Sequence, residues 1–285
     1  MNARKSIYSG SWYPGSRKAC EQEIAAFLIE GYGKKVTGKN LIGGIVPHAG
    51  WFFSGSIACN VIEAIFHPDS KPDVAVIFGM HLSQNSKPYI MAEGSWETPF
   101  GELEIASDLA NKLIGQFDFV VETGGHFITD NTIELQLPFI KYFSGKTKIL
   151  PVGAPPSSLS LDIANTIIKE ANASGLKSAV IGSTDLTHYG PNYGFTPFGT
   201  GEKALEWVRD KNDANIINKI IELDPKAVIQ ESLANQNACC GGAAAAAITA
   251  AKAMGATQAD LLTYQTSYDK SPGQSFVGYA GLVFG

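Results

Sequence analysis

The stretch "GGIVPHAGWFFSGS" (Gly43–Ser56) sets the fold. With Leu41 and Ile42 before it, an apolar, β-branched run stops at Pro47, and His48 follows. Then come a glycine, three aromatics and a serine able to start a helix. A short run that is apolar at every position, not at alternate ones, is a strand buried on both faces. Three more runs share that character: "DVAVIFG" (Asp73–Gly79), "KILPVG" (Lys148–Gly153) and "KSAVIGS" (Lys177–Ser183). Helical spacing fills Cys20–Ile29, Gly55–Phe66, Asp108–Ile114, Ile133–Tyr142, Leu161–Ala171, Glu202–Leu223 with a break, and Gly242–Ala253. Alternation of this kind specifies an α/β fold, a mainly parallel mixed sheet with helices on both faces. "ADLLTYQT" and "SFVGYAGLVF" read as two late antiparallel strands, and Pro88–Ala106 as a small hairpin. With no repeat, linker or charge block, the reading is one domain over residues 1–285.

Composition narrows the function. The 285 residues are 45% apolar with a formal net charge of −5, enough for a sizeable core and without the basic footprint that nucleic acid requires. "MNARKSIYSGSWYPGS" lacks the apolar core of a secretory signal, and no apolar run approaches the roughly 20 residues of a spanning helix. The expected location is the cytoplasm, away from membranes. Four cysteines, Cys20, Cys59, Cys239 and Cys240, are too few and too irregular for a disulfide framework.

In open α/β sheets functional groups gather beyond the carboxyl ends of strands. Three of the five histidines stand there: His48 after Leu41–Val46, His81 after Asp73–Gly79, and His188 with Asp185 in "TDLTHYG". Singly each is an ordinary loop histidine; together, at one sheet edge, they read as a shared site. His67 reads as a turn histidine, and His126 in "ETGGHFITDN" is left open between neighbour and bystander. Two imidazoles joined by a carboxylate or thiolate suit iron, zinc or copper. "NACCGGAAAAA" puts Cys239 and Cys240 at the start of a strong helix, where the dipole and free N–H groups favour thiolate. Trp51, Phe52, Phe53, Tyr189 and Tyr193 are candidates for an aromatic mouth. Glu134, on an apolar helix face, requires a polar partner inside.

"SGSWYPG" (Ser9–Gly15), "IVPHAGWFFSG" (Ile45–Gly55), "NTIELQLPF" (Asn131–Phe139), "ILPVGA" (Ile149–Ala154), "GSTDLTHYG" (Gly182–Gly190) and "CCGG" (Cys239–Gly242), in this order, resemble the Memo family. Its prokaryotic members are named protein B of the AmmeMemoRadiSam system. The resemblance implies the fold of class III extradiol dioxygenases and a metal site on His48, His81 and Cys240, with Asp185 and His188 as the accompanying acid and imidazole. It implies iron(II) or copper, with zinc as a further candidate, a redox role, and a functional link to a radical enzyme of the same system. Where many members carry histidines, this chain has Asn131 and Leu82.

Three functions stay open on the sequence. One is a metal-dependent oxidoreductase, dioxygenase-like, acting on a small-molecule substrate. Another is a metal-independent Cys/His enzyme, and the third a non-catalytic protein that binds a ligand or partner.

Overall fold

The apolar run before His48 is a strand, buried at all four positions of Gly43–Val46. The computed structural model describes residues 3–32, 36, 40–66 and 71–285; His67 lies outside the described residues. In chain order the strands are β1 (Ala3–Arg4), β2 (Gly43–Val46), β3 (Val74–Gly79), β4 (Tyr89–Met91), β5 (Ser95–Trp96), β6 (Leu103–Glu104), β7 (Val120–Glu122), β8 (Lys148–Gly153), β9 (Ser178–Ser183), β10 (His188–Tyr189), β11 (Ala259–Thr266) and β12 (Phe276–Phe284). The helices are α1 (Arg17–Glu30), α2 (Trp51–Ile65), α3 (Ser107–Ile114), α4 (Asn131–Glu134), α5 (Leu137–Ser144), α6 (Ser158–Ala173), α7 (Glu202–Trp207), α8 (Ala214–Ile221), α9 (Pro225–Asn235) and α10 (Gly241–Ala253).

The main sheet runs β10-β12-β2-β9-β3-β8-β4-β7, with β11 on β12. Its centre, β2-β9-β3-β8, is parallel, while β12 and β4 bracket it antiparallel. This is the mixed α/β sheet that the buried runs imply. The strands divide their side chains between two layers, as a period of two requires. Val74, Val76 and Phe78 face a core shared with α3, α6, α8, α9 and α10; Ala75 and Ile77 face one shared with α1, α2 and α5. The alanine tract of α10 is fully buried, and bare Gly182 lets it approach, since a Cβ there would press on Ala247 and on the Ala243 carbonyl. That close approach brings the start of α10 over the end of β9.

Several boundaries differ from the sequence expectation for local reasons. Helix α2 starts at Trp51, not Gly55, because Gly50 serves as its N-cap residue and the Trp51 amide donates to the Trp12 carbonyl at 2.8 Å. The expected helix Ile133–Tyr142 is split into α4 and α5, the second carrying Pro138 in its first turn. The break in Glu202–Leu223 is a π-helical turn, Val208–Asp213, that carries Asn212 and Asp213 inward. Helix α9 was missed, although Asp224 caps it and Pro225 opens it. The expected hairpin at Pro88–Ala106 divides: β4 joins the main sheet, while β5 and β6 pair antiparallel and β1 adds to β5 in a second sheet. Among the described residues no helix is long and apolar enough to cross a membrane.

Candidate metal centre

Strand order explains why distant histidines meet. β9 lies between β2 and β3, and each flanking strand releases a histidine two residues past its end. His48 and His81 therefore arrive from either side of the β9 terminus, with ring centroids 5.0 Å apart and planes at 85°. The turn before α10 closes over the same point. The Cys239 amide donates to the Asp185 carbonyl at 3.1 Å, and the Cys240 amide to Thr184 Oγ1 at 3.0 Å. One donor atom from each of His48, His81, Cys239 and Cys240 lies within 4.8 Å of all the others.

His48 is held on every side. It is 2% exposed, its amide donates to Asp185 Oδ1 at 2.7 Å, and its carbonyl accepts from Asn131 Nδ2 at 3.1 Å. Its Nδ1 lies 3.1 Å from Ser183 Oγ, and that hydroxyl donates to the Thr132 carbonyl at 2.7 Å. With its one hydrogen used, Ser183 accepts from Nδ1–H, which turns Nε2 toward the thiols. Nε2 stands 3.2 Å from Cys239 Sγ and 3.9 Å from Asp185 Oδ2. His81 is exposed. Its loop is set by Met80, in the left-handed region at φ 72° with its amide on Thr132 Oγ1 at 2.7 Å, and by Gly79, where a Cβ would collide with that hydroxyl.

Charge is concentrated between these groups. Burial works against a charged His48, but the Asp185 carboxylate and Cys239 outweigh it and lift the imidazole to about 9. Burial also opposes ionisation of Cys239; a hydrogen bond from Cys240 and the imidazoles of His48 and His81 overcome it and hold this thiol well below its usual range. Cys240, the N-cap residue of α10, is pushed well above by burial and by its ionised neighbour. Both shifts favour an imidazolium–thiolate pair at the floor of the site, and a cation held there would have to displace the His48 proton.

Above the floor is a cleft of about 630 Å³ lined by His48, His81, Asp185, His188 and Asn131, with Trp12, Phe52, Phe53, Tyr193 and Tyr279 as its aromatic wall and a rim of serines. Among its described lining residues there is no lysine or arginine. Asp185 is buried, which raises its pKa against the pull of His48 and His188. His188 lies beside the donor cluster, Nδ1 3.1 Å from the Leu186 carbonyl and its ring 5.0 Å from Tyr193.

Of the aromatics expected at the mouth, Phe52, Phe53 and Tyr193 line it. Trp51 and Tyr189 do not: Trp51 is buried and stacks on Phe139 at 4.2 Å, and Tyr189 stacks on Phe276. His126 is exposed in the Thr123–His126 turn and belongs neither to the donor group nor to the cleft lining. Glu134 has the inner partners it requires: the amides of Ile7 and Tyr8 and the hydroxyl of Tyr13, at 3.0, 2.7 and 3.1 Å. That carboxylate therefore anchors the "SGSWYPG" segment, whose Ser11 and Trp12 wall the cleft. Ser183 and Thr132 were missed; nothing in sequence marks an ordinary hydroxyl as the acceptor that orients a histidine.

The description "Memo-like protein" belongs to a family model that matches residues 4–283. A MEMO1 family protein of Thermococcus onnurineus is 34% identical, with 99% of each chain covered. One of Pyrococcus furiosus is 32% identical, with 98% of each covered. Among solved structures, an uncharacterized protein of Escherichia coli K12 shares the fold, with a TM-score of 0.52 at 8% identity, covering 86% of this chain and all of that one. Family model and full-length relatives agree: the chain belongs to the Memo family.

Proposed function

We propose that the whole chain is one Memo-like domain that holds a redox-active transition metal on His48, His81 and Cys240 and acts as an oxidoreductase on a small molecule in the cleft above. The observation that carries this reading is the convergence of imidazole and sulfur donors within 4.8 Å at the mouth of the parallel strands. Nitrogen and sulfur donors of this kind suit iron(II), copper or zinc and are poor partners for hard cations. Bound there, the metal supplies electron exchange with the substrate or its oxidant. The protein's own part is orientation and proton handling. Ser183 fixes the His48 ring, Asn131 and Asp185 fix its backbone, and His188, which lines the cleft, accepts or returns a proton at the ring nitrogen not held by the Leu186 carbonyl. An aromatic wall, a serine rim and no lining lysine or arginine favour a neutral, partly aromatic substrate bearing hydroxyl groups. The working compartment on this reading is the cytoplasm, where thiols stay reduced. The family's name links the role to a radical enzyme of the same system.

Anaerobic titration with iron(II), copper(I) and zinc, comparing the wild type with His48→Ala and Cys240→Ser, tests the centre. One equivalent bound by the wild type, and weakened by about 100-fold in both variants, supports it; no binding by the wild type ends it. The Cys239–His48 contact at 3.2 Å with Asp185 behind it favours a second reading, a metal-independent thiol enzyme. Activity that survives chelation and is abolished by alkylation selects that one.

A further inference from the structure

The ligand set implied by the family resemblance takes one cysteine, Cys240, yet Cys239 is the thiol in contact with the His48 imidazole. Its Sγ is 3.2 Å from His48 Nε2, within 4.8 Å of a His81 ring nitrogen, and 3.8 Å from Cys240 Sγ. A tetrahedral centre with metal–sulfur bonds of about 2.3 Å and metal–nitrogen bonds of about 2.0 Å has a sulfur–sulfur edge of about 3.8 Å and nitrogen–sulfur edges of about 3.5 Å. The two sulfurs already stand at that spacing, and the His48–Cys239 contact needs to open by only a few tenths of an ångström.

The backbone keeps both thiols aimed at one point. The amides of Cys239 and Cys240 are tied to Asp185 and Thr184 at the end of β9, and Asn237, fully buried, donates to the Asn212 carbonyl at 2.8 Å. A cation resting on His48, His81 and Cys240 would meet the Cys239 sulfur at its remaining corner.

We infer that Cys239 is a fourth ligand, so that the floor of the cleft is a closed His48–His81–Cys239–Cys240 tetrahedron for a soft cation, copper(I) or zinc(II). This rests on the reading that the cluster holds a metal and sharpens it. Two thiolates and two imidazoles select these cations over iron(II), whose oxygen chemistry requires open coordination positions. Any electron exchange then passes through a filled coordination shell.

Cobalt(II) is the first probe, because its sulfur-to-metal charge-transfer absorbance scales with the number of thiolates bound. In anaerobic titrations, Cys239→Ser and Cys240→Ser should each halve that absorbance. Each should also weaken zinc or copper(I) binding by about 100-fold against a competing chelator, an even share of the affinity of a four-ligand site. In the unmutated chain one equivalent of zinc should protect Cys239 from iodoacetamide, read by peptide mass, which guards against a folding defect in the variants. Tighter copper(I) binding makes the centre redox-active and tighter zinc binding makes it structural; both support the tetrahedron. Full absorbance and affinity in Cys239→Ser, with loss in Cys240→Ser, would overturn the fourth ligand and leave the three-ligand centre standing. No metal bound by the wild type would remove both.

Discussion

Strands β2 and β3 end alike and do different things. Each lies beside β9, and each delivers a histidine two residues beyond its last position. His48 is buried, with amide, carbonyl and Nδ1 all partnered; His81 is exposed after a left-handed Met80. One imidazole is built into the fold, and the other is presented to the cleft. The difference originates in the chain beyond each histidine: β2 leads through Gly50 into α2, which pins the loop, whereas β3 leads into an exposed loop tied at its start by Thr132. On the metal reading proposed above, a pre-set ligand and an adjustable one would capture a cation without the fold rearranging around it.

The largest expected effect attacks what the two ends share. His48→Ala and His81→Ala should each lower metal affinity by about 100-fold, read by chelator competition; retention in either would remove that histidine from the centre.

The next concerns the third strand end, where β9 runs on to His188. Asp213 accepts from the amide and hydroxyl of Thr187 and from the Tyr264 hydroxyl, and burial lifts its carboxyl to about 7. The folded state therefore holds a proton that the unfolded chain, near pH 4, releases first. The resulting stability is complete below about pH 4 and declines as pH rises, until it is lost above about 7. Urea unfolding of the wild type should lose on the order of 2 kcal/mol between pH 5 and 7 relative to Asp213→Asn. Parallel pH profiles would deny this anchor its protonated state.

Ser183→Ala isolates the fixed tautomer of His48. It should weaken metal binding by about 10-fold, as removal of a partner behind a ligating histidine does. An unchanged affinity would mean that the ring is oriented by its backbone alone. The smallest effect separates the two histidines: His81→Ala should leave metal-free stability within about 0.5 kcal/mol, as exposed positions do, whereas His48→Ala should cost about 1–3 kcal/mol by stranding buried partners. Equal losses in denaturant melts would erase the distinction between built-in and presented ligand.

Much of this centre was legible. Continuous apolar runs located β2, β3, β8 and β9, and the rule of strand ends then selected His48, His81 and Asp185 without any knowledge of register. Pattern could not say which neighbouring side chain faces the cleft. Starting α2 four residues early turns Trp51 into the core and Phe52 and Phe53 outward, a matter of helical phase decided by Gly50 and a tertiary hydrogen bond to Trp12. The split between Cys239 and Cys240 was illegible for a similar reason. It depends on where a turn is tied to β9, and adjacent residues have no spacing to read. Helix α9 did carry its signal, an aspartate cap before proline, on a segment whose apolar face was too thin to stand out.

Glu134 ties one wall of the cleft to the middle of the chain. It holds the amide of Ile7 across 127 residues of chain, and with it the segment that supplies Ser11 and Trp12. The His48–Cys239 contact beneath spans 191 residues. Closing loops of either length costs entropy that only the assembled sheet offsets. Wall and floor are therefore both late products of folding, and the cup has no rehearsal in any local segment of the chain.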